Sequence, residues 1–208
     1  MHSRPQYRKA RTTKQRMSYK VNEIFLSVQA EGRNAGRLAV FVRFSGCNLK
    51  CPFCDTNHEP HTEMTAAEIN AEITRLNPDK NALVVFTGGE PTLQLNDAQE
   101  LAQGYARAME SNGTGELPCW WTENDWLTIS PKTKLPAEAY RKAKEVKVLY
   151  GHFPNEYLQF LEEYLDCELY LQPIERDGKF DVRPAIEYME SNPAWKLSVQ
   201  WHKLTGIR

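Results

Sequence analysis

The chain has 208 residues, 41% hydrophobic and 25% charged, with a net charge of −1, which fits one globular domain with a substantial core. It has no run of about 18 apolar residues, so no membrane-spanning helix is expected. Five cysteines, three of them crowded together, suit metal ligation in a reducing compartment, here the cytoplasm, better than a disulfide framework.

Residues 1–20 read as a basic, disordered extension: Arg4, Arg8, Lys9, Arg11, Lys14, Arg16 and Lys20 all precede the first acid, Glu23. Three explanations of it stay open: a translation extension ahead of a second start at Met17, an arm that touches nucleic acid, or a targeting peptide. The last is the weakest, because the stretch lacks an apolar helical face. Without the extension the body is acidic and gives no hint of a polyanion-binding surface, so neither nucleic acid nor membrane is an expected partner.

The domain over 21–208 alternates strands and helices. Val21 to Gln29 is expected to be extended, with a loop over Glu31 to Gly36. Leu38 to Phe44 reads as a buried strand containing one charge, Arg43, which either leaves the sheet end for solvent or awaits an anion. After a cysteine-rich loop, Thr65 and Glu68 predict a capping box, with Met64 and Ile69 as its staple and Ile69, Ile73 and Leu76 as the apolar stripe. Leu83 to Phe86 is apolar throughout, as a central parallel strand covered on both faces should be. Further on, the pattern predicts helices over 96–106, 137–144, 155–165 and 181–190. It predicts strands over 126–129, 145–150, 168–171 and 195–201, and a short one before the turn at Glu110 to Thr114. Polar motifs just past strand ends mark an α/β fold with ligands at the carboxyl edge of the sheet. The chain is short for a closed eight-fold barrel, which takes about 250 residues, so a partial, reduced (β/α) barrel is expected.

The chemistry concentrates at Cys47, Cys51 and Cys54, spaced C-x3-C-x2-C. Three thiolates on one loop suit three irons of a 4Fe–4S cluster and leave the fourth iron free. His58 offers a rival, a Cys3His zinc site. Cys119 and Cys167 are isolated, and Cys167 reads as a core residue. The Gly88-Gly89-Glu90-Pro91 turn one strand later favours iron–sulfur. Two glycines allow a ligand close to the backbone, and Glu90 supplies an acceptor. A ligand with an amino-acid end, such as S-adenosylmethionine, could chelate the open iron and donate to Glu90.

At this point the sequence resembles the radical S-adenosylmethionine superfamily, and within it the 7-carboxy-7-deazaguanine synthase family. The residues carrying the resemblance are Glu23-Ile24-Phe25, Gln29-Ala30-Glu31-Gly32, Arg43 to Leu49, Cys54-Asp55-Thr56, Thr87 to Gln94, Ser130-Pro131-Lys132, Gln172-Pro173 and Gln200-Trp201-His202-Lys203. Only residues 1 to about 20 lie outside it. The resemblance implies a partial barrel of the radical S-adenosylmethionine type, a 4Fe–4S cluster on Cys47, Cys51 and Cys54, and Mg²⁺ on Thr56. It implies cofactor contacts at Gly89, Glu90, Ser130, Pro131, Lys132, Gln172, Pro173, Ile174 and Glu175. Substrate contacts are implied at Val28, Gln29, Ala30, Thr87, Arg208 and Arg43, with Arg43 receiving the substrate carboxylate.

The implied reaction is that of a carbon–nitrogen lyase in queuosine biosynthesis, with radical chemistry carried by S-adenosylmethionine and no catalytic side chain beyond it. Hydrogen is taken from C6 of 6-carboxy-5,6,7,8-tetrahydropterin, and ring contraction with loss of ammonia gives 7-carboxy-7-deazaguanine. A homodimer and an electron donor such as flavodoxin are also implied. Three positions depart from the family pattern: Ala30 stands where glycine is common, Trp201 is bulkier than usual, and the terminal carboxylate is carried by Arg208 instead of proline. Two other functions remain as alternatives, a radical activating enzyme acting on a protein and a Cys3His zinc-stabilised binding protein.

Overall fold

The structure, a computed structural model, describes residues 18–176 and 179–207. Most of the basic extension and the terminal Arg208 therefore lie outside the described residues. The strands are β1 (Ser18–Val28), β2 (Leu38–Phe44), β3 (Thr62–Thr65), β4 (Leu83–Gly88), β5 (Arg107–Ser111), β6 (Trp126–Ile129), β7 (Glu145–Leu149), β8 (Glu168–Gln172), β9 (Glu175–Arg176), β10 (Lys179–Phe180) and β11 (Trp195–Leu197). The helices are α1 (Ala66–Leu76), α2 (Asn155–Tyr164), α3 (Arg183–Ser191) and α4 (Trp201–Thr205). Nine strands form one sheet in the order β11-β8-β7-β6-β5-β4-β2-β1-β3, and β9 and β10 form a separate hairpin. From β2 to β11 every neighbouring pair is parallel, while β1 and β3 run antiparallel at one edge. The sheet stays open, as expected of a partial barrel. No described helix is long and apolar enough to cross a membrane.

Side-chain alternation divides this sheet into two faces. On β4, Val84 and Phe86 enter the main core with Ile69, Ile73, Leu101, Leu158 and Leu161. Leu83 and Val85 turn the other way, onto Ala39 and Ala108, with Phe41 and Trp126 beside them. Two residues further along each strand, that second face becomes polar. Phe41 gives way to Arg43, Val85 to Thr87 and Ala108 to Glu110, with Arg43 opposite Thr87 in the register. The concave face is thus apolar at its base and polar at the carboxyl ends of the strands, where the site lies.

Strand β1 starts at Ser18, three residues before the expected boundary, because Ser18 to Val21 pair with the short β3. The capping box forms as predicted. Glu68 N donates to Thr65 Oγ1 (3.3 Å), and Thr65 N donates to Glu68 Oε2 (2.7 Å).

Three predicted elements differ. Residues 96–106 form turns, not a helix. Asn70 on α1 takes up the backbone there, accepting from Ala102 N at 2.9 Å and donating to Glu100 O at 2.9 Å, and Ala102 adopts a φ of +51°, which no α-helix contains. The apolar pattern still served burial, since Ala98, Leu101 and Ala102 are all at most 1% exposed. The helix over 137–144 shortens to a 3₁₀ turn, Ala137–Tyr140. The last strand stops at Leu197, and Trp201 opens α4 instead.

Candidate active site

A cavity of about 660 Å³ opens at the carboxyl ends of the strands, within the usual range for small-molecule sites. Its roof is the cysteine loop between β2 and β3. Gly46 N donates to His58 O (2.9 Å), Ser45 Oγ to Pro60 O (2.6 Å), and Asn22 Nδ2 to both Asn57 O (3.2 Å) and Pro60 O (2.6 Å). Gln94, from the stretch after the glycine pair, donates to Ser45 O at 2.9 Å. Both legs of the loop are held before any metal is considered.

Cys47, Cys51 and Cys54 all line the cavity. Cys47 Sγ accepts from Leu49 N at 3.4 Å and faces Asn112 Nδ2 at 3.9 Å. Burial pushes the Cys51 thiol up, Lys132 opposes this, and the neighbouring Cys47 and Cys54 add to the rise. Among the described residues no three His, Cys, Asp or Glu side chains converge to hold a single metal ion, as a Cys3His zinc would require. A 4Fe–4S cluster instead spreads its thiolates over separate irons, and three cysteines lining one open cavity fit that donor set.

The glycine pair has a physical cause. A Cβ on Gly89 would lie 1.9 Å from Gly46 O and 3.1 Å from Cys47 Cβ, and one on Gly88 would lie 2.1 Å from Phe44 O. The end of β4 is pressed onto the cysteine loop, with Gly89 N donating to Phe44 O (3.0 Å) and Glu90 N to Gly46 O (2.9 Å). Glu90 does not reach the cavity as expected. It is fully buried, and its carboxylate accepts from Thr92 N (3.1 Å), Thr92 Oγ1 (2.6 Å), Ser111 Oγ (2.8 Å) and Asn112 N (2.7 Å). Its carboxylate braces the loops after β4 and at the end of β5.

The other expected residues are distributed by element. Val28, Gln29 and Ala30 at the end of β1, Arg43 of β2, Thr56 of the cysteine loop and Thr87 of β4 all line the cavity. So do Gly89, Ser130, Lys132, Gln172, Ile174 and Glu175, whereas Pro131 and Pro173 shape the turns without facing it. Arg43 points inward. Its Nε donates to Glu23 Oε1 at 2.8 Å and its guanidinium sits 5.8 Å over the Phe25 ring, which leaves the outer edge of the fork for a ligand. Ala30 fits without strain: it is buried, its N–H donates to Gln29 Oε1 at 2.8 Å, and it has no left-handed φ. Trp201 is 51% exposed and turned away, while its neighbours Gln200 and His202 face in. Its bulk does not alter the cavity.

Sequence reasoning missed the charged floor of the cavity. Lys147 on β7 bonds Glu31 Oε2 and lies 3.9 Å from Glu110 Oε1. Gln200 Nε2 donates to Glu31 Oε1 (2.9 Å) and Gln29 Nε2 to Glu110 Oε1 (2.8 Å). Burial alone would raise the Glu31 carboxyl, but the Lys147 ammonium and the Gln200 amide hold it below the ordinary carboxylate range. Burial works against the Lys147 ammonium too, and Glu110, Glu31 and Glu145 together push it up. The available signal was the alternation Glu145-Val146-Lys147-Val148, which puts two charges on one face of an otherwise apolar strand.

Fold and cavity together define a protein of the radical S-adenosylmethionine class, and a sequence model described as Radical SAM superfamily matches residues 41–181. The chain is 42% identical to the 7-carboxy-7-deazaguanine synthase of Bacteroides thetaiotaomicron, over 92% of this chain and all of that one. It is 40% identical to the synthase of Caulobacter vibrioides over the same shares. The crystal structure of QueE from Escherichia coli superposes with a TM-score of 0.72 at 28% identity, covering 88% of this chain and 94% of that one. The chain belongs to the 7-carboxy-7-deazaguanine synthase family.

Proposed function

We propose that the protein is a carbon–nitrogen lyase of queuosine biosynthesis that converts 6-carboxy-5,6,7,8-tetrahydropterin to 7-carboxy-7-deazaguanine with loss of ammonia. The observation that carries this is the meeting, in one cavity, of three cysteine thiols and the open edge of the Arg43 fork, in a chain aligned with named synthases almost end to end. Cys47, Cys51 and Cys54 hold the 4Fe–4S cluster. When bound, the cluster supplies an electron and S-adenosylmethionine the radical that abstracts hydrogen.

The chain's own residues bind and orient. Arg43 offers two parallel N–H groups to the substrate carboxylate, with Glu23 fixing the plane of the fork. Gln29 and Thr87 face the same space from β1 and β4. Gly89, Ser130, Lys132, Gln172, Ile174 and Glu175 are assigned to the cofactor. Thr56 puts a hydroxyl on the cavity wall, a hard oxygen suited to Mg²⁺ that keeps water and substrate oxygens as its other ligands. The cytoplasmic location, the homodimer and a flavodoxin-type donor rest on the family resemblance.

Anaerobic reconstitution tests the reading. About four irons per chain are expected, with deazaguanine formed from the carboxypterin, S-adenosylmethionine and a reductant. Stoichiometric zinc without iron would refute it, and a competent cluster that yields no product would shift it to an activating enzyme. In Thr56→Ala, iron content is expected to stay at the wild-type level while the magnesium concentration for half-maximal rate rises about tenfold. Equal loss of both would contradict the role assigned to Thr56.

A further inference from the structure

A lysine 5% exposed in side chain, set between Val146 and Val148 on its strand, needs a reason. Taking an ammonium out of water is costly, and an ion pair sealed in a core is generally no more stable than apolar side chains of the same volume. Lys147 is not sealed in a core. It lines the cavity together with Glu31, Glu110, Gln29 and Gln200. It reaches Glu31 from one side and Glu110 from the other, two carboxylates carried by different parts of the sheet, the first just after β1 and the second on the central strand β5. Each carboxylate is steadied by one glutamine amide on its Oε1. Without a cation between them, two partly buried carboxylates so placed would repel.

We propose that Lys147 is a positioning residue, fixing Glu31 and Glu110 as paired acceptors for the N–H edge of the substrate heterocycle. This rests on the reading that a pterin occupies the cavity. The pyrimidine edge of a pterin carries an exocyclic amine and a ring N–H, which a carboxylate accepts in parallel. Glu110 Oε2 has no protein donor among the described residues. Arg43 grips the substrate carboxylate at one wall while the Glu31 and Glu110 pair reads the far edge of the ring. A protonated Glu31 would present an O–H where the ring also presents N–H.

The groups facing Lys147 are Glu31 after β1, Glu110 on β5, Lys132 after β6 and Glu145 on its own strand. His202 on α4 acts on Glu31 from above, and Tyr170 stands opposite Lys147 on β8. Of these, Glu31 responds most directly, because Lys147 is its main source of favourable charge. In the wild type the folded-state pKa of Glu31 is depressed, so its contribution to stability is complete above its unfolded pKa and is lost as pH falls through the folded value. In Lys147→Met, burial, the largest influence on Glu31, is opposed only by the Gln200 amide and His202, and the folded pKa rises above the unfolded one. The contribution then holds at low pH and is lost as pH rises.

The test compares reconstituted wild type with K147M, K147R and the charge-neutral double variant K147M/E31Q, which guards against simple misfolding. Two quantities are followed: binding of the carboxypterin by titration between pH 6.5 and 8.5, and melting temperature between pH 5 and 8. K147M is expected to bind pterin about tenfold more weakly at pH 6.5, the loss of one charged hydrogen bond, and to recover as pH rises. Its iron content and S-adenosylmethionine affinity stay at wild-type values, and K147R restores pterin binding to within about threefold. The melting temperature of K147M falls from pH 5 to 8 where that of the wild type does not, and K147M/E31Q shows no such fall. Unchanged pterin affinity in K147M across the pH range overturns the positioning role, as does a melting slope equal to that of the wild type. Should the wild type take up no pterin, the functional reading falls while the melting slopes still decide whether Lys147 keeps Glu31 charged.

Discussion

Glu90 and Glu31 are both buried carboxylates next to the same cavity, yet their partners give them opposite roles. Every bond to the Glu90 carboxylate comes from backbone or hydroxyl groups just after β4 and at the end of β5. Glu31 instead meets a lysine and a glutamine on the cavity wall. Glu90→Ala should therefore destabilise the fold by roughly 2–4 kcal/mol, the cost of leaving Ser111 Oγ and Asn112 N unpaired, measured as a lower urea midpoint at unchanged slope. A mere loss of cofactor affinity at full stability would contradict the bracing role. Motif reasoning found Glu90 because it follows two glycines, and it inferred an acceptor for a ligand. What it lacked was the register, since only the tertiary contact with Ser111 and Asn112 shows that both oxygens are occupied. Arg43 was more legible, because one charge in an apolar strand end has few places to go.

Among elements, those fixed by local chemistry were readable. The Thr65 and Glu68 box and strands β2, β4 and β6 follow from capping and from apolar runs. Residues 96–106 show the limit. Their apolar spacing is met by burial, but the backbone hydrogen bonds go to Asn70, a residue on another element. Asn70→Ala should cost about 1–3 kcal/mol in chemical denaturation, because it leaves Ala102 N and Glu100 O without their partner. A change below about 0.5 kcal/mol, as is usual for surface substitutions, would mean that the turn holds without it. The charged ladder Glu145 and Lys147 was visible as a pattern, but its partners come from β1 and β5, and no spacing rule links them.

At the scale of the molecule, the parallel sheet separates support from chemistry. Apolar side chains fill its outer face and the base of its inner face, and the polar groups gather where the strands end. Alternation along single strands already pointed to this arrangement and to ligands at the carboxyl edge. The closing contacts did not show in it. Lys203 of α4 reaches Asp55 of the cysteine loop at 2.5 Å, joining segments nearly 150 residues apart in the chain.

The cysteine loop is framed by Ser45, Gly46, Asn22, Gln94 and Lys203 through bonds that involve no sulfur. Loss of a cluster held by the three cysteines is therefore expected to leave the frame standing. Repair is then a matter of refilling, without refolding. Several cycles of chelation and anaerobic reloading should return the same iron content and rate, and the far-ultraviolet circular dichroism should not change between the stripped and filled forms. Progressive loss with each cycle would show that the cluster itself was holding the loop. In a cell that meets air, such a protein can outlive many of its clusters.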